Sequence, residues 1–275
     1  MVYENEPGVL GESLQNSSHY ILQETEFMDP RTIKWILISS PMPVTCIVLV
    51  YLYIIYLAGP KFMKNRQPYS LKMFIQCYNV LQVILNFWLV FNGVRRGNPF
   101  KAVWRYYDSF DTVFGHNAEE LLGIVWWALM LKIFDFAETI MFVLRKKYQQ
   151  VSGLHVYHHI STVLYVWIFL RYLIHGHIIF MLMLNCTVHV ILYSYYFLSA
   201  CGPKMQQRIS PFKKWITIIQ MVQLVFITLC GVPGLKIDCD KKGKYLGIIT
   251  IFNGIANISF FWNFYRKTYK KSKTT

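Results

Sequence analysis

Seven long apolar runs govern what this chain can fold into. They fall near residues 35–58, 72–93, 120–143, 156–174, 177–199, 213–234 and 245–265. Each is close to the roughly 20 residues a helix needs to cross the hydrocarbon layer of a bilayer. The charged fraction, 15%, lies well below the roughly 25% of ordinary soluble domains, which excludes a water-soluble globule. A net charge of +14 would suit a nucleic-acid binder, but the gathering of apolar residues into runs argues against that class. The sequence therefore predicts an all-α polytopic membrane protein of seven transmembrane helices. Residues 1–34 precede the helical domain, 35–265, and a basic tail occupies 266–275. The polar stretch before the first run argues against a cleavable signal peptide. Pro41 and Pro43 near the start of that run suit a first helical turn.

The connecting segments sort by charge. Segments 58–72, 144–154, 200–214 and 266–275 carry sixteen Lys and Arg and no acid. The opposite set holds eleven Lys and Arg with twelve acids. The positive-inside rule puts the basic set, and the C-terminus, in the cytosol, and the N-terminus on the luminal side. Asn16-Ser17-Ser18 is then a luminal glycosylation candidate. Lys271-Ser272-Lys273-Thr274-Thr275 has the KxKxx form of a dilysine retrieval signal, so an endoplasmic reticulum membrane is expected. Of six cysteines only Cys239 lies clearly in a luminal loop, with Cys230 nearest, so no disulfide framework follows.

Ionisable groups inside a bilayer are costly and mark function by default. Span three holds Lys132, Asp135 and Glu138-Thr139. Span four opens with His155-Val156-Tyr157-His158-His159, whose three histidines share a helix face. Span five carries Asn185, His189, Tyr193 and Tyr196, and span six Thr217, Gln220 and Gln223. With alternating span directions, all these groups fall in the cytosolic half, so four helices converge on one cavity. Gln82 and Asn86 in span two, and Gln223, read instead as hydrogen-bonding glue between helices.

Two chemistries suit such a cavity. A histidine-box, metal-dependent membrane oxygenase is one, but a di-iron site needs about eight histidines, and only His155, His158, His159 and His189 lie at the right depth; a single zinc remains open. The other is covalent catalysis by a neutral imidazole whose second nitrogen is held by a carboxylate, for which Asp135 or Glu138 would serve. No cysteine sits on the histidine stripe, and Cys186 reads as a small hydrophobe. Acid-free basic loops would attract a polyanion such as the phosphates of coenzyme A. A non-enzymatic seven-helix receptor or channel would leave the histidine box unexplained.

Four ordered motifs carry a resemblance. Beside HVYHH at 155–159 stands Lys132-Ile-Phe-Asp135-Phe-Ala-Glu138-Thr139, similar to KxxExxDT. Asn185-Cys-Thr-Val-His189-Val-Ile-Leu192-Tyr193-Ser-Tyr195-Tyr196 is similar to NxxxHxxMYxYY, and Thr217, Gln220 and Gln223 form TxxQxxQ. Tyr78-Asn79 also fits. From about residue 30 to 270 the chain resembles the very-long-chain fatty acid elongases (ELO family), condensing enzymes that act as 3-oxoacyl-CoA synthases. It departs in two places: the acidic pair is inverted, Asp135 before Glu138, and Leu192 stands where the family has Met.

The resemblance implies a barrel of spans two to seven around an acyl tunnel, with span one outside. It implies that an acyl-CoA loads its chain onto a histidine and that malonyl-CoA then decarboxylates and attacks the acyl group. His158 would be the nucleophile and His189 its partner, with His155, His159, Asp135 and Glu138 holding tautomers and orientation. Lys132, Asn185, Tyr193, Tyr196, Thr217 and Gln220 would line the substrate path, and Arg145, Lys204 and Lys213 would meet CoA phosphates. No resident cofactor or metal is expected, acyl-CoA and malonyl-CoA being substrates. The pathway implies a ketoacyl reductase, a dehydratase and an enoyl reductase downstream, and a homo-oligomer is plausible.

Overall fold

The computed structural model describes residues 28–270, apart from Tyr107 and the side chains of Trp104 and Lys270. The Asn16 sequon and the KxKxx end at 271–275 lie outside the described residues. All regular structure among the described residues is helical. The long helices are α1 (Pro41–Met63), α2 (Lys72–Arg96), α3 (Ala118–Phe134), α4 (Phe136–Leu144), α5 (Gly153–Tyr172), α6 (His177–Ala200), α7 (Phe212–Cys230) and α8 (Lys241–Tyr265).

Five helices are long and apolar enough to cross a membrane: α1, α2 and α6, and α7 and α8 with their short continuations to Leu235 and Tyr269. The other two expected spans differ for physical reasons. Span three is divided at Asp135 into helices of 17 and 9 residues. The Glu138 amide bonds the Asp135 carbonyl, an i,i+3 contact that tightens one turn there. Span four is a continuous 20-residue helix, α5, whose three histidines and Arg171 dilute its apolarity.

The first helix begins at Pro41 rather than near residue 35. Pro41 has no amide hydrogen to leave unsatisfied, and the Ser40 side chain accepts from the Met42 amide, so the start is set by N-capping chemistry. Residues 30–39 form turns instead. Farther on, α1 widens into a π turn over Ile54–Ala58, with the Gly59 amide bonding the Ile54 carbonyl. Pro60, which cannot donate, follows directly.

Neighbouring helices close a circuit. α2 packs on α3, α3 on α5, α5 on α8, α8 on α7, α7 on α6, and α6 back on α2 in the most extensive contact of the fold. Gly93 lets that last pair approach, since a Cβ there would collide with Sδ of Met183. α1 stands to one side, packing through its second half on α4, and is the least buried of the five spans. The driest packing joins α3, α5 and the start of α6, where Leu121, Leu122, Leu129, Phe169, Leu170 and Ile179 are wholly buried.

Candidate active site

The break at Asp135 divides the acidic motif into two groups. Lys132 and Asp135 are both buried, with Nζ 3.6 Å from Oδ2. The other oxygen of Asp135 accepts from Nε2 of Gln82 on α2 at 2.6 Å. That amide also donates to the Tyr78 hydroxyl at 2.9 Å, and Nδ2 of Asn86 donates back to Oε1 of Gln82 at 3.0 Å. Gln82 is glue between helices, as its position predicts, but the group it binds is the carboxylate of the site. Tyr78 then meets Tyr193 edge to face, ring centroids 5.9 Å apart. Tyr193 in turn meets His189 at 5.7 Å and Tyr196 at 6.0 Å.

Glu138, past the break, faces the histidine box. Its carboxylate lies 3.9 Å from Nε2 of His159, and the His155 and His159 rings are 4.2 Å apart. Nε2 of His155 is bonded to the Thr139 hydroxyl at 2.9 Å, and Thr139 to the Tyr51 hydroxyl of α1 at 2.9 Å. Donor atoms of Glu138, His155 and His159 all lie within 4.8 Å of one another, close enough to share a divalent metal. Thr139 occupies Nε2 of His155.

His158 belongs to neither group. It lines a cavity of about 80 Å³ together with Lys132, Asn185, Gln223 and Asn257, whose remaining wall is mostly apolar, from Val125 through Ile178, Met181 and Leu182 to Leu224 and Ile227. Its Nδ1 is 3.2 Å from Oδ1 of Asn257. The amide nitrogen of Asn257 is committed to the Asn253 backbone carbonyl at 2.9 Å and side-chain carbonyl at 3.0 Å. That commitment assigns the amide orientation: oxygen faces imidazole. His158 must then carry its proton on Nδ1, which leaves Nε2 with a free lone pair. Of the two carboxylates expected to orient a histidine, Glu138 lies near His159 at 3.9 Å, beyond direct hydrogen-bond reach, and Asp135 is bound by Gln82 and Lys132 instead. For His158 the orienting group is a neutral amide.

The remaining predicted positions spread along the same end of the fold. Asn185 is half-buried on the cavity, while His189 is buried and its Nδ1 has no hydrogen-bond partner. Thr217 bonds its own helix and the Tyr269 hydroxyl at 3.3 Å, and Gln220, half-buried beside it, is not a cavity residue. Arg145 is half-exposed, and Lys204 and Lys213 are exposed. Cys186 is fully buried in the hydrophobic core, and the six cysteines are free thiols.

Sequence reasoning missed three participants: Asn257 and Asn253 on α8, and Tyr51 on α1. Thr250, Asn253 and Asn257 recur at helical spacing and face the cavity, a polar stripe on span seven like those that singled out spans three to six. Tyr51 carries no such signal, being one tyrosine among many.

The geometry agrees with what the chain is similar to. The GNS1/SUR4 (ELO) family matches residues 36–275. Very long chain fatty acid elongase 4 of Macaca mulatta is 34% identical over 98% of this chain and 86% of that protein. Very long chain fatty acid elongase 7 of Drosophila melanogaster is 35% identical over 88% and 73%, and very long chain fatty acid elongase 5 of Mus musculus 33% identical over 89% and 81%. With a match from the first membrane helix to the last, and the histidine box, the acidic motif and the Asn185–Tyr196 motif meeting in one place, the chain belongs to the GNS1/SUR4 (ELO) family.

Proposed function

We propose that this protein is the condensing enzyme of very-long-chain fatty acid elongation, a 3-oxoacyl-CoA synthase working through an acyl-histidine. The observation that carries the reading is the His158–Asn257 pair at the polar end of an otherwise apolar cavity. Nε2 of His158 attacks the thioester carbonyl of an acyl-CoA, and the CoA thiolate leaves. Because Nδ1 keeps its proton, and an amide oxygen is too weak a base to take it, the product is a cationic acyl-imidazolium. Malonyl-CoA then loses CO2, and its enolate carbon attacks the acyl carbonyl. The imidazole departs neutral, in the tautomer it began with, and the 3-oxoacyl-CoA is two carbons longer. No proton has to be supplied to or removed from His158, the CoA thiolate taking its proton from water after release, so a neutral partner for His158 suits this chemistry better than a carboxylate.

His189 assists the malonyl step, and Lys132, aligned on the cavity by Asp135 and Gln82, offers a positive charge to the developing enolate. Glu138 fixes His159, and Thr139 fixes His155. Asn185, Tyr193, Tyr196, Thr217 and Gln220 line the approach, and Arg145, Lys204 and Lys213 draw in CoA phosphates. The circuit from α2 through α3, α5, α8 and α7 to α6 forms the barrel around the acyl chain, with α3 and α4 together as one span, α5 as another, and α1 outside. Charge asymmetry supports a cytosolic mouth. Among the described residues, the ion pairs between exposed or half-exposed side chains, Arg31–Asp29, Arg31–Asp111, Arg96–Glu120 and Arg105–Asp108, fall on the segments assigned to the lumen. An endoplasmic reticulum membrane with the C-terminus cytosolic is the placement proposed.

The test is microsomal. Labelled malonyl-CoA and a panel of acyl-CoAs should yield lengthened, labelled acyl products with the wild type and none with His158→Ala. With acyl-CoA alone, the intact mass should rise by one acyl group in the wild type only. Absence of label from any lengthened product overturns the reading, and an adduct that persists in His158→Ala moves the nucleophile elsewhere.

A further inference from the structure

Hydrogen bonding between helices does not account for Gln223. It is buried, and its Nε2 has no hydrogen-bond partner. Thr217, six positions earlier, is satisfied by its own helix and by Tyr269, and Gln220 does not line the cavity, whereas Gln223 does. Glue, the reading its sequence position invites, requires the amide to donate to another helix, and it does not. Buried donors without partners are rare in native proteins, and each calls for a reason. Among the described residues, two such donors belong to side chains that line the cavity: Nε2 of Gln223 and Nζ of Lys132.

Helix packing sets the depth of Gln223. α7 and α8, with their continuations, run antiparallel. A Cβ on Gly231 would come 2.9 Å from the Gly247 carbonyl, and one on Gly254 would strike the Thr228 side chain, while Thr217 is bonded to Tyr269. Gln223 falls between the last two of these contacts, within about one turn of the level of Asn257, the residue bonded to His158. The five helices around the cavity agree. Toward that end the last lining residue is Lys132 on α3, His158 on α5, Asn185 on α6, Gln223 on α7 and Asn257 on α8, polar in every case. Leu224 and Ile227 continue the apolar wall from Gln223 along α7.

We propose that Gln223 is a catalytic residue whose amide donates to the acyl carbonyl oxygen as that oxygen becomes an anion; the inference rests on the condensing activity proposed above. When Nε2 of His158 bonds to the thioester carbon, the π electrons of the carbonyl move onto its oxygen. Gln223 holds that alkoxide until the electrons return and the C–S bond breaks. The same oxygen becomes an alkoxide again when the malonyl carbon attacks, until the C–N bond to His158 breaks. The terminal torsion of a Gln side chain is soft, so the amide turns onto the oxygen without movement of α7. A donor unpaired in the free enzyme forfeits no bond on reaching the alkoxide, so its interaction favours the transition state over the ground state. Lys132 stays with the malonyl enolate, and the two oxygens that gain charge meet separate donors.

The experiment uses the full-length protein, in microsomes for turnover and in detergent for stability. Gln223→Met keeps the length of the side chain and removes both amide protons. It should lower kcat about a hundredfold, the cost of losing one oxyanion donor, with KM for the acyl-CoA little changed. With acyl-CoA alone, growth of the acyl adduct on the intact protein should slow by a similar factor. The thermal midpoint should hold or rise, because an apolar group replaces a buried donor that had no partner. Glue would do the opposite: the midpoint would fall, and the folded fraction would acylate at the wild-type rate. A wild-type adduct rate in Gln223→Met therefore overturns the proposal, even where condensation alone slows, since that assigns Gln223 to the malonyl step. If Gln223→Met does not fold, Gln223→Leu is read in the same way, and failure of both to fold makes the amide structural and overturns the proposal too. A wild type that incorporates no label from malonyl-CoA into any acyl product defeats the condensing reading itself, and this inference with it.

Discussion

Nδ1 of His158 and Oδ1 of Asn257 face each other at 3.2 Å across α5 and α8, and the other half of the Asn257 amide is bound to Asn253. The pair fixes one tautomer and one ring orientation at the only box histidine that lines the cavity. Asn257→Leu should lower kcat about a hundredfold, the cost of a misplaced reacting group, with little change in the amount of membrane-inserted protein. Asn257→Asp should behave differently. A carboxylate can take the Nδ1 proton from the acyl-imidazolium and make it a poorer electrophile, so the acyl adduct should accumulate while condensation slows. Intact mass spectrometry during turnover distinguishes the two variants.

Lys132 and Asp135 form the second buried relationship. Removing one charge strands the other inside the helical bundle, which typically costs about 3–5 kcal/mol. Lys132→Met should therefore lower the thermal midpoint in detergent much more than the double change Lys132→Met with Asp135→Asn. In the double variant Gln82 can still donate to the side-chain oxygen of the amide introduced at position 135. Equal midpoints for the single and double variants would show that the pair is not mutually stabilising.

Much of this site is legible in sequence because helical spacing and membrane depth act together. HVYHH declares itself: three imidazoles on one face of an apolar span have few structural explanations. Lys132, Asp135 and Glu138 are visible for the same reason, yet their division is not. A continuous helix would keep them on one stripe, whereas α3 ends at Phe134 and α4 begins at Phe136, and the Asp135 carboxylate between them is bound by Gln82 on another span. Asn257 is hidden by chemistry. Its stripe with Thr250 and Asn253 shows in the spacing, but amides in a transmembrane helix are ordinarily glue, and the spacing does not tell that this one's oxygen meets a histidine 99 positions earlier. The start of α1 is obscured because Trp35, Ile36, Leu37 and Ile38 are apolar, although the Ser40-Pro41 cap ends their claim to the helix.

The cluster of Glu138, His155 and His159 sets up a prediction on metal removal. Nε2 of His155 is already bonded to the Thr139 hydroxyl, and the reaction proposed needs no Lewis acid. Prolonged dialysis against a strong chelator should leave elongation unchanged, and added zinc should inhibit by occupying the cluster. Activity lost to the chelator and restored by one divalent metal would instead support metal chemistry at the histidine box.

The opposite end of the fold carries a pH dependence of stability. His175 is buried in the turn before α6, its ring 4.7 Å from that of Tyr106 and 6.3 Å from that of His177. Burial pushes its pKa below the usual histidine value, outweighing the opposing pull of Asp240 and of a hydrogen bond with the Tyr106 backbone. A group whose pKa is lower in the folded state than in the unfolded one binds its proton more readily when unfolded. Its contribution is therefore complete above about pH 6.5, the unperturbed histidine value, and is lost as pH falls from there through the folded-state pKa. The thermal midpoint of the detergent-solubilised protein should decline over that acidic window. His175→Phe keeps a ring against Tyr106 but cannot titrate, so its midpoint should fall less steeply with acid. A variant that tracks the wild type at every pH would place the acid sensitivity elsewhere, with His177 the next residue to substitute.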